Sequence, residues 1–194
     1  MKEGAQGRIA KLLVSAAHGD QEAWREIVGE FSPRIFGLLR SQCGNADLAE
    51  ELTQSVFVTL AEKLSGYLEE GHFEAWIFRV AVNRLRDEMR RRARHAKPTA
   101  NEHLSEIAAP AEGDSGYRTA DLDQVQMLER AMGGLSRADR EIVDLRHTAE
   151  LSFKEISALL DEPVGTLLAR HHRALARLRE SIEREQKSRG SSCN

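Results

Sequence analysis

Apolar positions recur along this chain at three- and four-residue steps, the period of one face of an α-helix. From Ala46 to Leu64, the residues Leu48, Leu52, Val56, Leu60 and Leu64 fall four apart with Phe57 beside them, which draws one stripe. From Phe73 to Met89 a similar stripe runs through Phe73, Ile77, Val80, Ala81, Leu85 and Met89. Ser65, Gly66 and Gly71 interrupt the period and bound a loop between the two segments. Period-two runs of β-branched residues, the mark of strands, do not occur. Further helix starts stand at Ser136, with Asp139 three residues on, and at Ser152, with Glu155 three residues on. Each has the form of a capping box, whose side chains satisfy the free N–H groups of a first turn. The pattern predicts an all-α fold.

Between Leu151 and Glu180 the pattern gives a short helix, a tight turn at Asp161-Glu162-Pro163 and a longer helix. Phe153, Ile156, Leu159 and Leu160 supply the buried side of the first, and Val164, Leu167, Ala174, Leu178 and Ile182 that of the second. Pro163 suits a helix start, where its missing N–H would find no partner in any case. The outer face of the second helix then carries Thr166, Arg170, His172, Arg173 and Arg177. A basic second helix after a short first one is the helix-turn-helix arrangement, which places that helix in the major groove. An ordinary helical hairpin is the alternative from this segment alone.

Charge divides the chain further. With 194 residues it has room for two small domains. The net charge is −3, which excludes a uniformly basic coat. Residues 96–123 hold two basic and six acidic side chains, with Pro98, Pro110, Gly113, Gly116 and few large apolar residues. Such a segment cannot bury enough surface to offset its ordering entropy, so a flexible acidic linker is expected over 96–122. The flanking domains are then 1–95 and 123–187, with a disordered tail at 188–194. From Arg79 to Arg94 seven arginines stand against Asp87 and Glu88. Arg84, Arg91 and Arg94 share much of the outer side, a face that phosphates favour through counterion release. A solvated helix end that complements the helix dipole is the alternative.

Other chemistry is thin. No apolar run approaches the ~20 residues that span a bilayer, and Met1 to Val14 lacks the apolar core of a secretory signal. Cys43 and Cys193 match no disulfide scaffold or paired metal spacing, as expected in a reducing, cytoplasmic compartment. His171 and His172 point in different directions on a helix, which argues against a metal site. With no Gly-rich phosphate loop, ligand cluster or nucleophile–base set, neither a cofactor nor an enzyme is expected.

Three stretches carry a family resemblance. Asp47-Leu-Ala-Glu-Glu-Leu-Thr-Gln-Ser-Val-Phe57 resembles a signature of the second conserved region of sigma-70-type factors. Phe73-Glu-Ala-Trp-Ile-Phe-Arg-Val-Ala-Val-Asn83, with Asp87 and Arg90 to Arg92, resembles the helix that follows it. Leu135 to His147, Leu151 to Ile156 and Pro163-Val-Gly-Thr166 resemble the fourth region. An acidic linker with no third domain is similar to the extracytoplasmic-function (ECF) subgroup. The resemblance covers roughly residues 10–95 and 123–183.

It implies a bacterial transcription initiation factor that brings core RNA polymerase to promoter DNA and assists melting. Core polymerase would meet Asp47, Glu50, Glu51, Gln54 and Phe57. The −10 element would meet Tyr67, His72, Asn83, Arg84, Arg91 and Arg94, with Leu64–His72 as the loop that captures a flipped base. Trp76 is expected in the core. The −35 element would meet Thr166, Arg170, His172, Arg173 and Arg177. An anti-sigma protein commonly holds such factors back. This chain departs from the family at Leu168 and Ala169, where polar or basic residues are usual, and at His171, where Leu or Ile is usual. A two-domain helix-turn-helix regulator that acts without polymerase is the alternative.

Overall fold

The computed structural model describes residues 2–64, 72–95 and 119–191, with side chains over 7–64, 72–95 and 123–188. Residues 65–71 of the expected base-capturing loop, Tyr67 among them, and residues 96–118 of the linker expected over 96–122 lie outside the described residues. Eight helices run in order: α1 (Lys2–Ala17), α2 (Gln21–Cys43), α3 (Ala46–Leu64), α4 (Phe73–His95), α5 (Thr119–Gly133), α6 (Arg137–His147), α7 (Phe153–Leu160) and α8 (Val164–Ser191). Among the described residues all regular structure is helical, as the periodicity predicts.

Local chemistry sets the helix ends. The Asp20 carboxylate accepts from the Glu22 and Ala23 N–H groups at 2.9 and 3.4 Å and starts α2. Gly44 ends it at φ 68°, a left-handed conformation that a β-carbon would strain, and donates its N–H to the Arg40 carbonyl at 2.8 Å. Asn45 accepts from the Leu48 N–H at 2.8 Å and opens α3. At α7 the capping box is complete, with Ser152 and Glu155 exchanging bonds. At α6 only half of the expected box forms: Ser136 accepts from the Asp139 N–H, while the Asp139 carboxylate turns to Arg177.

The first lobe, α1 to α4, buries Ile9 and Leu13 against Ile27, Phe31, Ile35 and Leu39, and these against Val56, Leu60, Ile77 and Phe78. The Phe31 and Phe73 rings meet edge to face with centroids 5.2 Å apart. Trp76 stacks on Phe73 and is half-buried against this core, as expected. The second lobe, α5 to α8, has a smaller core of Ala131, Leu135, Val143, Ala174 and Leu178.

Two bounds differ from the sequence expectation. The helix α5 begins at Thr119, before residue 123, and α8 continues to Ser191, through four residues expected in a disordered tail. Good helix formers fill Glu180 to Lys187 with no proline to stop them, and the Ser188 hydroxyl donates to the Glu185 carbonyl at 2.8 Å.

The lobes touch, which periodicity gave no reason to expect. Ile142, Leu145, Ala149, Leu151, Ile156 and Leu167 join the buried cluster of the first lobe. Arg34 of α2 donates to the Thr148 and Ala149 carbonyls at 3.1 and 2.8 Å, just past the end of α6. The same guanidinium pairs with Glu74 at 3.4 Å and lies 5.3 Å from the Phe31 and Phe78 ring centres. Arg140 donates to the Ser41 carbonyl at 2.9 Å, and Arg86 pairs with Glu141 at 3.1 Å. Gln42 donates to Asp144 at 2.6 Å. Asp144 is only 4% exposed. Burial pushes its carboxyl up to about 6, against the opposing pull of hydrogen bonds from Ser41 and Gln42.

Candidate functional site

Three surfaces gather the candidate residues. On α3, Asp47, Glu50, Glu51 and Gln54 are exposed, while Leu48, Leu52 and Val56 are buried on the opposite side. Gln54 donates to the Glu50 carboxylate at 3.5 Å. Phe57 does not share this face; it is half-buried and packs against the first-lobe core. Val58 takes its place, 58% exposed and one turn beyond Gln54. That position was readable from the four-residue step, but an apolar residue there carries no polar signal.

On α4, His72 stands exposed before the first turn and its carbonyl accepts from the Trp76 N–H at 2.9 Å. Asn83 and Arg94 are exposed. Arg84 leans back on α3 and donates to the Thr59 hydroxyl at 2.9 Å. Arg91 forms a two-pronged pair with Glu88 at 2.7 and 2.8 Å, and Arg92 joins the same carboxylate at 2.7 Å. The bonds from Arg91 and Arg92 pull the Glu88 carboxyl down to about 2, so the cluster stays charged across the neutral range. Of the three outward arginines expected here, two are therefore held by neighbours.

The third surface is the helix-turn-helix of α7 and α8. Asp161, at φ 57°, turns the chain, and the Ser157 hydroxyl donates to the Glu162 carbonyl at 2.6 Å. The Pro163 carbonyl accepts the Thr166 and Leu167 N–H groups and starts α8. Leu167, Ala174 and Leu178 seat the helix on the lobe, while Val164, expected on that buried side, stands exposed in the first turn, where no other element covers it. Thr166, Leu168, Ala169, His172 and Arg173 are exposed. Arg170 pairs with Glu162 at 3.1 Å and Arg177 with Asp139 at 3.2 Å.

His171 turns inward and His172 outward, so the two diverge as expected. No local pattern marks the partner that His171 finds on α6. Its Nε2 lies 3.0 Å from Nε2 of His147, and its ring meets Phe153 edge-on. In this contact one ring donates its N–H and the other accepts, the roles set by their tautomers. Burial, then the nearby His147, Arg146 and His172, hold the His171 pKa below its ordinary value. Among the described residues no group of three or more His, Cys, Asp or Glu side chains could hold a metal ion. None of these helices is long and apolar enough to cross a membrane.

Two packed helical lobes, the second presenting the exposed basic helix of a helix-turn-helix, define the class: a DNA-binding transcription protein. Comparison with known proteins is more specific. Residues 27–95 match the family Sigma-70 region 2, and residues 125–178 match Sigma-70, region 4. The chain is 31% identical over 179 residues to the ECF RNA polymerase sigma factor RpoE of Cereibacter sphaeroides, covering 90% of this chain and 94% of that protein. It is 31% identical over 170 residues to the ECF RNA polymerase sigma factor SigE of Mycolicibacterium smegmatis, covering 86% of this chain and 65% of that protein. Its fold is similar to the sigma factor RpoE of Bartonella quintana, crystallised with the anti-sigma factor NepR. That likeness has a TM-score of 0.65 at 22% identity, over 82% of this chain and 96% of the other. The chain belongs to the ECF group of sigma-70-type RNA polymerase sigma factors, a family of transcription initiation factors.

Proposed function

We propose that this chain acts in the cytoplasm, without catalytic chemistry of its own, to direct core RNA polymerase to specific promoters and assist their melting. The exposed acidic face of α3 supports this reading most directly. Asp47, Glu50, Glu51 and Gln54 stand together on the outer side of a helix whose other side is locked in the core. An acidic outer face is ordinary on a solvated helix; what singles this one out is that it lies within residues 27–95, which match Sigma-70 region 2. In this assignment α3 meets basic residues of core polymerase. The loop 64–72 with Tyr67, together with His72, Asn83, Arg84, Arg91 and Arg94, meets the −10 element, and α8 meets the −35 element. An anti-sigma protein is a fitting regulator, since the Bartonella quintana relative was crystallised with one.

The net charge of −3 opposes phosphates, so the isolated chain should bind duplex DNA weakly. Run-off transcription with purified core polymerase on genomic fragments tests the proposal. The expected result is initiation at specific sites only when the chain is present. Specific nanomolar duplex binding by the chain alone, with no stimulation of polymerase, would favour the simple regulator instead.

A further inference from the structure

Along one flank of the first turns of α8 a stripe of exposed side chains ends in methyls rather than hydrogen-bond donors. Leu168 is 46% exposed, and Val164, one turn earlier on the same stripe, is 38% exposed. Ala169 beside Leu168 is exposed as well. At Gly165 a β-carbon would meet no atom within 4 Å, so a partner surface can approach the backbone of this first turn closely. Donors are drawn aside from the stripe: Arg170 to Glu162, Arg177 to Asp139, and His171 inward to His147. Thr166, His172 and Arg173 remain exposed around it.

A lone exposed leucine is common on protein surfaces and needs no explanation. This one lies on the second helix of a helix-turn-helix, whose N-terminal turns meet base edges, with cationic or polar neighbours suited to phosphate. Those neighbours favour a nucleic acid over an apolar protein surface as the occupant. In the major groove thymine alone carries a methyl group. A guanine, cytosine or adenine edge pressed against Leu168 would lose its water without gaining a partner, which costs affinity.

We propose that Leu168, with Ala169 beside it, is a specificity-determining contact of the −35 element, reading thymine through its C5 methyl. The inference rests on the promoter-directing role proposed above and adds the chemical class of base that this helix selects. Leu168 discriminates in two ways, by gaining dry contact with a methyl and by penalising polar edges.

The test uses holoenzyme reconstituted from the full chain and core polymerase. A promoter library randomised over the −35 element is put through rounds of selection by binding. Each thymine of the selected element is then replaced by deoxyuridine, which removes the methyl and leaves the hydrogen-bonding edges unchanged. Wild-type holoenzyme should lose roughly three- to fivefold in affinity at one or two of these positions, the factor equivalent to one buried methyl. With Leu168→Ala the same replacement should cost nothing further. Leu168 is exposed, so this variant should fold as the wild type does, and circular dichroism checks it. A selected element without thymine bias, or equal uridine losses in both proteins, overturns the inference. So does a Leu168→Ala variant that loses core polymerase affinity while keeping its uridine sensitivity, which would make the stripe a protein contact. Failure of the chain to join core polymerase at all is scored separately, by co-elution, and overturns the promoter-directing role itself.

Discussion

Glu51 and Gln54 are separated by less than one turn of α3, exposed above the buried Leu48, Leu52 and Val56. Replacing them together, Glu51→Arg with Gln54→Ala, should leave the thermal midpoint nearly unchanged, since exposed positions away from caps and cores rarely move stability. The same variant should weaken binding to core polymerase by roughly tenfold or more, because a reversed charge then faces the partner's cations. Titration of labelled core polymerase measures this, and an unchanged affinity removes the face from the interface. The polarity of these residues was legible because a buried stripe on one side of a helix fixes what the other side must be. Phe57 was not. It sits at the edge of the stripe, where its ring can fold inward, and only the neighbouring helices decide that it does. The side-chain partners of Arg84 and Arg91 were equally hidden, since both positions are outward by period and the carboxylate or hydroxyl that captures them depends on rotamer and packing.

Helices whose ends carry their own chemistry were the easiest to bound. For α3 both ends agree with the apolar steps, and for α7 the Ser152–Glu155 box marks the start in the sequence and closes in the structure. Ser152→Ala should cost about 1 kcal/mol, read as a fall of about 2–4 °C in the melting midpoint for a chain of this size. A loss confined to the cap should leave α3 and its polymerase contacts unaffected, which the titration above can confirm. Helices without such signals escaped. α2 carries Pro33 in its interior, a residue that ordinarily ends a helix, and continues to Cys43 because Ile35, Leu38 and Leu39 are buried beyond it. The far end of α8 escaped for the opposite reason: its polar composition suits a tail and an exposed helix equally.

The contact between the lobes left no trace in local pattern, because it joins residues 55 to 115 positions apart. Its centre is Asp144, whose buried carboxyl titrates near 6 where an unfolded chain would titrate at about 3.9. Between those values the folded protein holds the proton that the unfolded one has lost. The contribution of Asp144 to stability is therefore greatest below about pH 4, falls as pH rises towards 6, and is flat above. Asp144→Asn, which keeps an acceptor for Gln42, should remove that slope and raise stability at pH 7.5 by about 1–3 kcal/mol. Urea unfolding of both proteins between pH 4.5 and 8 measures it. An identical slope in the two would place Asp144 in water, and the lobes apart, in solution.

Arg34 holds the two lobes within hydrogen-bonding distance of one another, and that sets a condition on promoter engagement. Sites centred near −10 and −35 are about 25 base pairs apart, which at 3.4 Å per pair is about 85 Å of duplex. Lobes joined through Arg34 cannot occupy both. In the proposed role, the guanidinium must therefore give up the Thr148 and Ala149 carbonyls as the holoenzyme forms. The 23 residues between His95 and Thr119 can then reach about 80 Å at full extension. That reach, added to the breadth of the lobes themselves (α8 alone, at 28 residues, is about 42 Å long), covers the spacing once the clasp opens.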